Sequence, residues 1–468
     1  MRSYVRSSDI QPRAAKWENG HDASKARRPH HPRAARLNTA AGQSEARRRP
    51  AVPYAWFVLA MLLAVYSLNW LDRYLLIIAM EAIKQDLDLS DTSLGLLSGF
   101  AFSTVYTIAG VLIARWSDLA NRRSIIALGL TVWSVMTAFC AGAQNLVSLV
   151  IGRFGVGLGE SACSPPSHSL IADYFRPGQR ATALAIFGLG EYIGMGLGLG
   201  VGGWLIDQYG WRAAFMIAAV PGVAFALFFR LTVREPARGR SSPEVAEDVH
   251  YPAGAVLRFM LSRHSFVAYV LGTGLLVFAN DATDIWGATF LIRVHGYGSA
   301  EVGEKIGLLG SIAGMVGTLF FAVLADRLSA RDPRWYLWVA SLGAAAMLPL
   351  ILLFLFADGS VVFVFYVLAT FCGASYMAPT LAITQRLMPP RMRALSSAVI
   401  LVSFNILGVA SGNLATGLLS DGLSAWYGAE ALRYGLAATV LVGVPGLALT
   451  LYGAHRLPAD LEHGGAAA

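Results

Sequence analysis

The sequence predicts an all-α integral membrane protein, with twelve transmembrane helices in two related six-helix bundles. Three observations carry this. Hydrophobic residues make up 55% of the 468 residues, charged residues only 14%, and mean hydropathy is +0.53, which is membrane rather than soluble composition. Apolar runs of bilayer-crossing length recur along the chain. Polar markers in the first half return in the second at an offset of roughly 210 residues, the signature of an internal repeat.

The elements follow in order. Residues 1–53 hold twelve Lys/Arg against four Asp/Glu, which accounts for the whole net charge of +8. Rich in Arg, Pro, Ala and Ser without apolar period, they are expected to form a disordered basic cytoplasmic tail. Attraction to anionic membrane lipid is one role for such a tail; a tolerated or topology-setting extension is the simpler one. No cleavable signal peptide is expected before the first span. Six apolar runs follow near 54–80, 92–116, 124–142, 146–172, 180–206 and 212–231. They predict an N-terminal bundle over 54–231 and a cytoplasmic linker over 232–263. Six more runs, near 264–290, 302–325, 335–356, 360–385, 394–419 and 432–453, predict a C-terminal bundle over 264–453 and a tail over 454–468.

With both termini inside, the inner loops carry eighteen Lys/Arg and the outer loops five. This bias sets the expected orientation, in a plasma membrane, or the inner membrane of a bacterium. The repeat is visible at loop level. Asp118, Asn121, Arg122 and Arg123 follow the second run, and Asp326, Arg327 and Arg331 follow the eighth. Arg176-Pro177 and Arg180 precede the fifth, and Pro389-Pro390 and Arg393 precede the eleventh. Parallel duplication around a midplane site is the architecture of secondary transporters.

Charges inside the spans point to chemistry, because an ionised side chain at membrane depth is costly unless it faces a cavity or a partner. Asp72 and Arg73 lie side by side in the first span, and Arg153 and Glu160 lie two helical turns apart in the fourth. At 1.5 Å rise per residue, Asp72 lies about 27 Å along its helix and Arg153 about 10 Å down from the opposite side. The four can form one cluster; a static clamp between helices is the bland alternative. If an arginine moves toward an anionic substrate, the acid it leaves is free to take a proton. Asp72 and Glu160 are therefore the expected proton sites, with Glu191, about 15 Å into the fifth span, as a third. Arg73 and Arg153, which stay charged and can hold carboxylate or phosphate two-pronged, are the expected substrate cations. Asn280, Asp281 and Asp284 are expected in an outer vestibule. Tyr376, Asn405 and Asn413 are polar exceptions in an otherwise apolar second half. A site charged on one side and apolar on the other suits an amphipathic substrate.

Other signals are declined. Gly155, Gly157 and Gly159 sit mid-span with no strand before them, so they are not a nucleotide loop. His168 has no metal partners in sequence, and Cys140, Cys163 and Cys372 follow no ligand spacing. No Walker loop or hydrolase arrangement is present, so no enzyme activity, metal or cofactor is expected beyond a proton gradient. A folded basic surface is lacking, which argues against nucleic acid.

At these residues the chain resembles the major facilitator superfamily. Asp118, Arg122 and Arg123 match its Asp-x-x-x-Arg-Arg loop, with Ala114 where a glycine is usual. Within it the chain is most similar to the Spinster family. The likeness rests on Asn69-Trp70-Leu71-Asp72-Arg73, on Arg153-Phe-Gly155-Val-Gly157-Leu-Gly159-Glu160-Ser161 and on Ile193-Gly194-Met-Gly196-Leu-Gly198. Phe290-Leu-Ile-Arg293, Leu324-Ala325-Asp326-Arg327-Leu and Arg331-Asp332-Pro333-Arg334 also fit. Trp70 stands where Tyr is commoner and Glu191 where the family has an apolar residue.

The resemblance implies proton-coupled export of lysolipid- or sphingoid-like solutes by alternating access, in a monomer surrounded by membrane lipid. Asn69, Trp70, Tyr376 and Asn405 are expected beside the arginines at the substrate. Asp118, Arg122, Arg123, Asp326 and Arg327, in the signature loop and its repeat, are expected to gate, locking the inside face of the outward-open state. A proton–organic anion symporter of sugar-acid type and a non-transporting sensor are the alternatives.

Overall fold

The computed structural model of the chain describes residues 52–236, 253–389 and 392–465. The expected tail up to Ala51, residues 237–252 of the linker, Pro390 with Arg391, and residues 466–468 lie outside the described residues.

Ten helical stretches are long and apolar enough to cross a membrane, and two of these are double. Pro177–Thr232 has 56 residues, about 84 Å of helix, nearly three times the hydrocarbon thickness. It reverses at Gly210, whose φ of 79° and ψ of 163° leave the helical region at little cost only for glycine. The 68 residues of Leu395–Glu462 turn back likewise at Gly428, with φ of 54°. Twelve spans result. They are α1 (Val52–Leu87), α2 (Asp91–Leu119), α3 (Arg122–Ala141), α4 (Leu146–Tyr174), α5 (177–209) and α6 (211–232), then α7 (His264–His295), α8 (Ser299–Ser329), α9 (Trp335–Phe356), α10 (Val361–Leu387), α11 (393–427) and α12 (431–465). A short helix, Ala253–Leu261, precedes α7.

The halves repeat in their irregularities as well as in their order. α2, α5, α8 and α11 each contain a π-helical turn, at Leu96–Ala101, Leu197–Val201, Gly303–Leu308 and Ser403–Ala410. The first turn contacts the fourth and the second contacts the third. Such wide turns interrupt the normal ladder and are frequent at functional sites. α4 breaks after Glu160 and restarts at Ser164 with proline in its first turn, while α10 breaks after Gly373 and restarts at Met377. Proline lacks the N–H that a continuous helix would need there. Packing also repeats: α1 lies on α5, α3 on α4 and α6, α2 on α4; α7 lies on α11, α9 on α10 and α12, α8 on α10. Large apolar side chains such as Leu112, Val147, Leu227 and Leu342 stay exposed, as a lipid-facing surface requires.

Both described ends of the chain lie on one face, here the terminal face. Tyr54 donates to the Thr232 carbonyl at 2.9 Å there, and Asp460 accepts from Ser265 at 2.6 Å. The opposite face joins the bundles. Asp421 of α11 caps the start of α2, accepting from the Asp91 and Thr92 amides at 3.0 and 2.7 Å. Asp207 accepts from the Ala300 amide at 2.8 Å. α5 and α8 touch backbone to backbone where Gly303 meets the Leu199 carbonyl. Among the described residues, the hydrogen bonds and ion pairs between bundles gather at this far face, with Tyr192 and Thr318 bonded at mid-depth.

Candidate functional site

Gly190, Gly194 and Gly198 bring α1 against α5. A Cβ on Gly194 would lie 2.6 Å from the Ser67 carbonyl oxygen, so the absent side chain is what permits the approach. In α4, a Cβ on Gly159 would lie 2.6 Å from the Trp133 nitrogen of α3. Gly157 lies against the Phe102 carbonyl of α2, with its Cβ position at 3.2 Å. These approaches draw α1, α2, α3 and α4 around one buried polar centre.

There the four charges meet as two crossed pairs. Arg73 Nε donates to Glu160 Oε2 at 2.6 Å, and Arg153 Nη1 reaches Asp72 Oδ2 at 3.5 Å. Adjacent residues of α1 thus take partners two turns apart on α4. Thr137 of α3 donates to Asp72 Oδ1 at 2.5 Å. Asp72, Arg153 and Glu160 are buried, whereas the Arg73 side chain keeps 17% exposure. Phe102 lies between the arginines, with its ring centre 4.6 Å from the Arg73 guanidinium carbon and 5.0 Å from that of Arg153. Trp70 and Tyr106 complete an aromatic cage around Arg73 at 4.6 and 4.7 Å. Such contacts stabilise a cation by about 0.5–2 kcal/mol each. Hydrogen-bonding capacity is left over: Glu160 Oε1, Arg153 Nε and Asn69 Nδ2 are buried without a protein partner. The cluster is paired but not saturated, so it can accept a proton, a water or a ligand group without losing a bond.

The second bundle supplies more charge than expected. Asp281 and Asp284, expected in an outer vestibule, come within electrostatic range of an acid and an arginine of the first bundle. Arg73 lies close enough to act electrostatically on Asp281 and on Glu191, and Glu191 acts on Asp284. Asp281 is thus within electrostatic range of Arg73 and Asp284 of Glu191, so the second half brings charge of its own to the interior. Asn280 Nδ2 donates to Asp284 Oδ2 at 2.8 Å. Tyr376 is buried, with its ring edge-on to Phe404. Asn405 spends its amide on its own helix, donating to the Leu401 carbonyl at 2.8 Å.

Of the loop residues expected to gate, Arg122, Arg123 and Asp326 bond to groups of their own half of the chain. Arg122 is buried and pairs with Asp173 at 2.6 Å and Glu235 at 2.7 Å, and it donates to Ser169 at 2.8 Å. Arg123 donates to the Val233 carbonyl at 2.9 Å. Asp118 and Arg327 are exposed, as is Asp326, which accepts from the Tyr336 hydroxyl at 3.0 Å. The ion pairs between bundles are at the far face instead, where sequence reasoning saw only loop charges. Arg293 of α7 binds Glu81 of α1 at 2.7 Å and Asp91 of α2 at 2.7 Å. Lys84 reaches Asp91 at 2.5 Å, and Ser420 of α11 donates to it at 2.6 Å.

Residues 62–413 match the family model described as Major Facilitator Superfamily. The chain belongs to this superfamily. An MFS-type efflux pump of Mycolicibacterium smegmatis is 35% identical over 394 residues, covering 83% of this chain and 91% of that protein. Human protein spinster homolog 1 is 28% identical over 432 residues, covering 86% and 81% respectively. A crystal structure of a bacterial homolog to the human lysosomal transporter Spinster, inward-facing and unoccupied, superposes with a TM-score of 0.79 at 28% identity. It covers 88% of this chain and 99% of that one. The superfamily and the Spinster-like fold mark a multi-pass membrane transporter, not an enzyme.

Proposed function

We propose that this transporter exports an amphipathic, lipid-like solute against its gradient, driven by protons, by alternating access of the two bundles. The crossed pairing of Asp72–Arg153 with Arg73–Glu160 is the observation that carries it. In a low-dielectric interior each pair is neutral as it stands, and removing one partner leaves a charge that is costly to keep. A zwitterionic headgroup can take both partners of a pair, its anionic part on Arg73 or Arg153 and its cationic part on Asp72 or Glu160, so that headgroup and proton compete for the same carboxylate. Solute loaded from the cytoplasm releases a proton there and a proton arriving from outside displaces the solute, which is the coupling that export requires.

The orientation proposed from loop charge puts the terminal face in the cytoplasm. The far-face contacts then correspond to an outside-closed state, ready to load from within. Plasma-membrane location, a monomeric state and gating by Asp118, Arg122, Arg123, Asp326 and Arg327 belong to the same proposal, with lipid as the only required surroundings. Glu191 is assigned to proton coupling, and Asn69, Trp70, Tyr376 and Asn405 to the substrate's surroundings. Reconstitution into liposomes holding a pH-sensitive dye tests the reading. Lysophosphatidylcholine, a sphingoid base and glucarate would be added in turn under an imposed proton gradient. An amphiphile should evoke proton flux that empty liposomes lack. Flux with glucarate alone points to organic-anion symport, and binding without any flux points to a sensor.

A further inference from the structure

Five acids, Asp72, Glu160, Glu191, Asp281 and Asp284, share the membrane interior with two arginines, Arg73 and Arg153. Arg153 is engaged with Asp72, and Arg73, whose charge reaches Glu191 and Asp281, is already bound to Glu160 at 2.6 Å. Glu191, Asp281 and Asp284 are thus left without a counter-ion of their own, in a place where unpaired charge is expensive. All three are half-buried and so border open space, on α5 from one bundle and on α7 from the other. Neutral groups close the surroundings: Tyr74 of α1, Tyr192 of α5, and Tyr366 and Tyr376 of α10 all interact with one or more of the acids.

A second observation marks the place as built for a ligand. Asn413 of α11 is fully buried, its side chain reaches Asp281, and its Oδ1 has no hydrogen-bond partner. The Tyr366 hydroxyl, equally buried and unpartnered, lies where α5 and α8 meet, beside Met195 and Gly310. Asn413 Oδ1, an acceptor without a donor, asks for a donor or a positive charge, and the Tyr366 hydroxyl can give or accept one further hydrogen bond. Among the described residues no three acid, histidine or cysteine side chains are close enough to hold one metal ion. The set is too open for a metal and suits a larger, diffuse charge.

We propose that Glu191, Asp281 and Asp284 form a cation subsite spanning the bundles, which takes the positively charged group of an amphipathic substrate in place of protons. The inference rests on the transport reading above and extends it. With the arginines on one side and these acids on the other, the preferred substrate is a zwitterionic or cationic amphiphile. A bound cation and bound protons satisfy the same carboxylates, so each displaces the other. Loading a cation from one side releases protons there, and that exchange is itself a route to export.

Equilibrium binding to the purified full-length protein in one detergent tests this. The probes are tetraphenylphosphonium and tetraphenylborate, ions of matched shape and opposite charge. The cation should bind saturably and at least about tenfold tighter than the anion. Its affinity should fall as pH is lowered and the carboxylates take up protons, by up to about tenfold per unit for each proton displaced. Glu191→Gln and Asp281→Asn should each weaken cation binding about tenfold and flatten the pH dependence, while anion binding stays unchanged. Equal affinity for the two ions, or cation binding indifferent to pH in the wild type, overturns the subsite whether or not the variants fold. Cation binding as expected, with no solute movement in liposomes, upholds the subsite and overturns the transport reading.

Discussion

Arg293 and Asp91 face each other across the bundle interface as a two-pronged pair, with Nη1 and Nη2 at 2.7 and 2.9 Å from the two carboxylate oxygens. The same guanidinium donates twice to Glu81 Oε2, so one side chain of α7 ties down both α1 and α2. Fork-to-carboxylate geometry is the strongest form of ion pair, and here it is mostly shielded from water. Opening the far face must break it.

Arg293→Ala should therefore favour states open on that face. Losing one partner of a largely buried pair costs about 3–5 kcal/mol, enough to reverse a moderate conformational bias. Spin labels on the far ends of α1 and α7 should report longer distances in Arg293→Ala than in the wild type. Unchanged distances would mean that the backbone contacts of Gly303 with the Leu199 carbonyl and of Gly417 with the Asp91 carbonyl close the face without the ion pair.

Much of the fold was legible in the sequence. Apolar runs gave twelve spans, and the paired Asp118 and Asp326 loops gave the duplication. The ends were harder. α1 continues to Leu87 and α7 to His295, beyond runs read to Met80 and Phe290, because Glu81 and Arg293 look like loop residues until each is seen to neutralise the other. These partners are 212 residues apart in sequence, and no local pattern links them. The charged cluster was readable because Asp72, Arg73, Arg153 and Glu160 are conspicuous in apolar runs. Phe102, Tyr106 and Thr137 were not, since aromatic residues and threonine are ordinary in such runs. The positions of Asp281 and Asp284 depend on how α7 turns against α1 and α11, which helix spacing alone does not fix.

Phe102 separates the two arginines, and its quadrupole offsets their mutual repulsion. Phe102→Leu keeps the apolar bulk and loses that contribution. It should lower stability by about 1–3 kcal/mol, counting two cation–π contacts, whereas Phe102→Tyr should change it little. Thermal unfolding of the purified proteins reads this directly. Equal melting of wild type and Phe102→Leu would reduce the cage to simple packing.

Arg153 holds Asp72 at 3.5 Å and keeps Nε unpartnered, so part of its fork is available to a ligand. Arg153→Lys preserves charge but not the planar pair of donors. Affinity for a zwitterionic amphiphile found by screening should fall about tenfold. Equal affinity in the two proteins would make Arg153 a counter-ion only.

Gly194 and Gly303 should separate folding from switching. Gly194→Val forces a side chain between α1 and α5 of one bundle and should lower expression and melting temperature. Gly303→Val acts between bundles, against the Leu199 carbonyl. It should leave each bundle folded and shift the spin-label distances toward far-face opening. Loss of folding in both variants would contradict the separation.

The central claim is that the crossed pairs couple proton to solute, and Glu160→Gln tests it most directly. The variant keeps a polar, hydrogen-bonding side chain beside Arg73 but cannot exchange a proton. In liposomes loaded with the amphiphile that evokes proton flux in the wild type, two movements are followed. One is exchange of labelled for unlabelled solute without a gradient, and the other is uptake driven by an imposed proton gradient. The account predicts that exchange persists while gradient-driven accumulation disappears. Accumulation by Glu160→Gln equal to that of the wild type, with the same pH dependence, would contradict it.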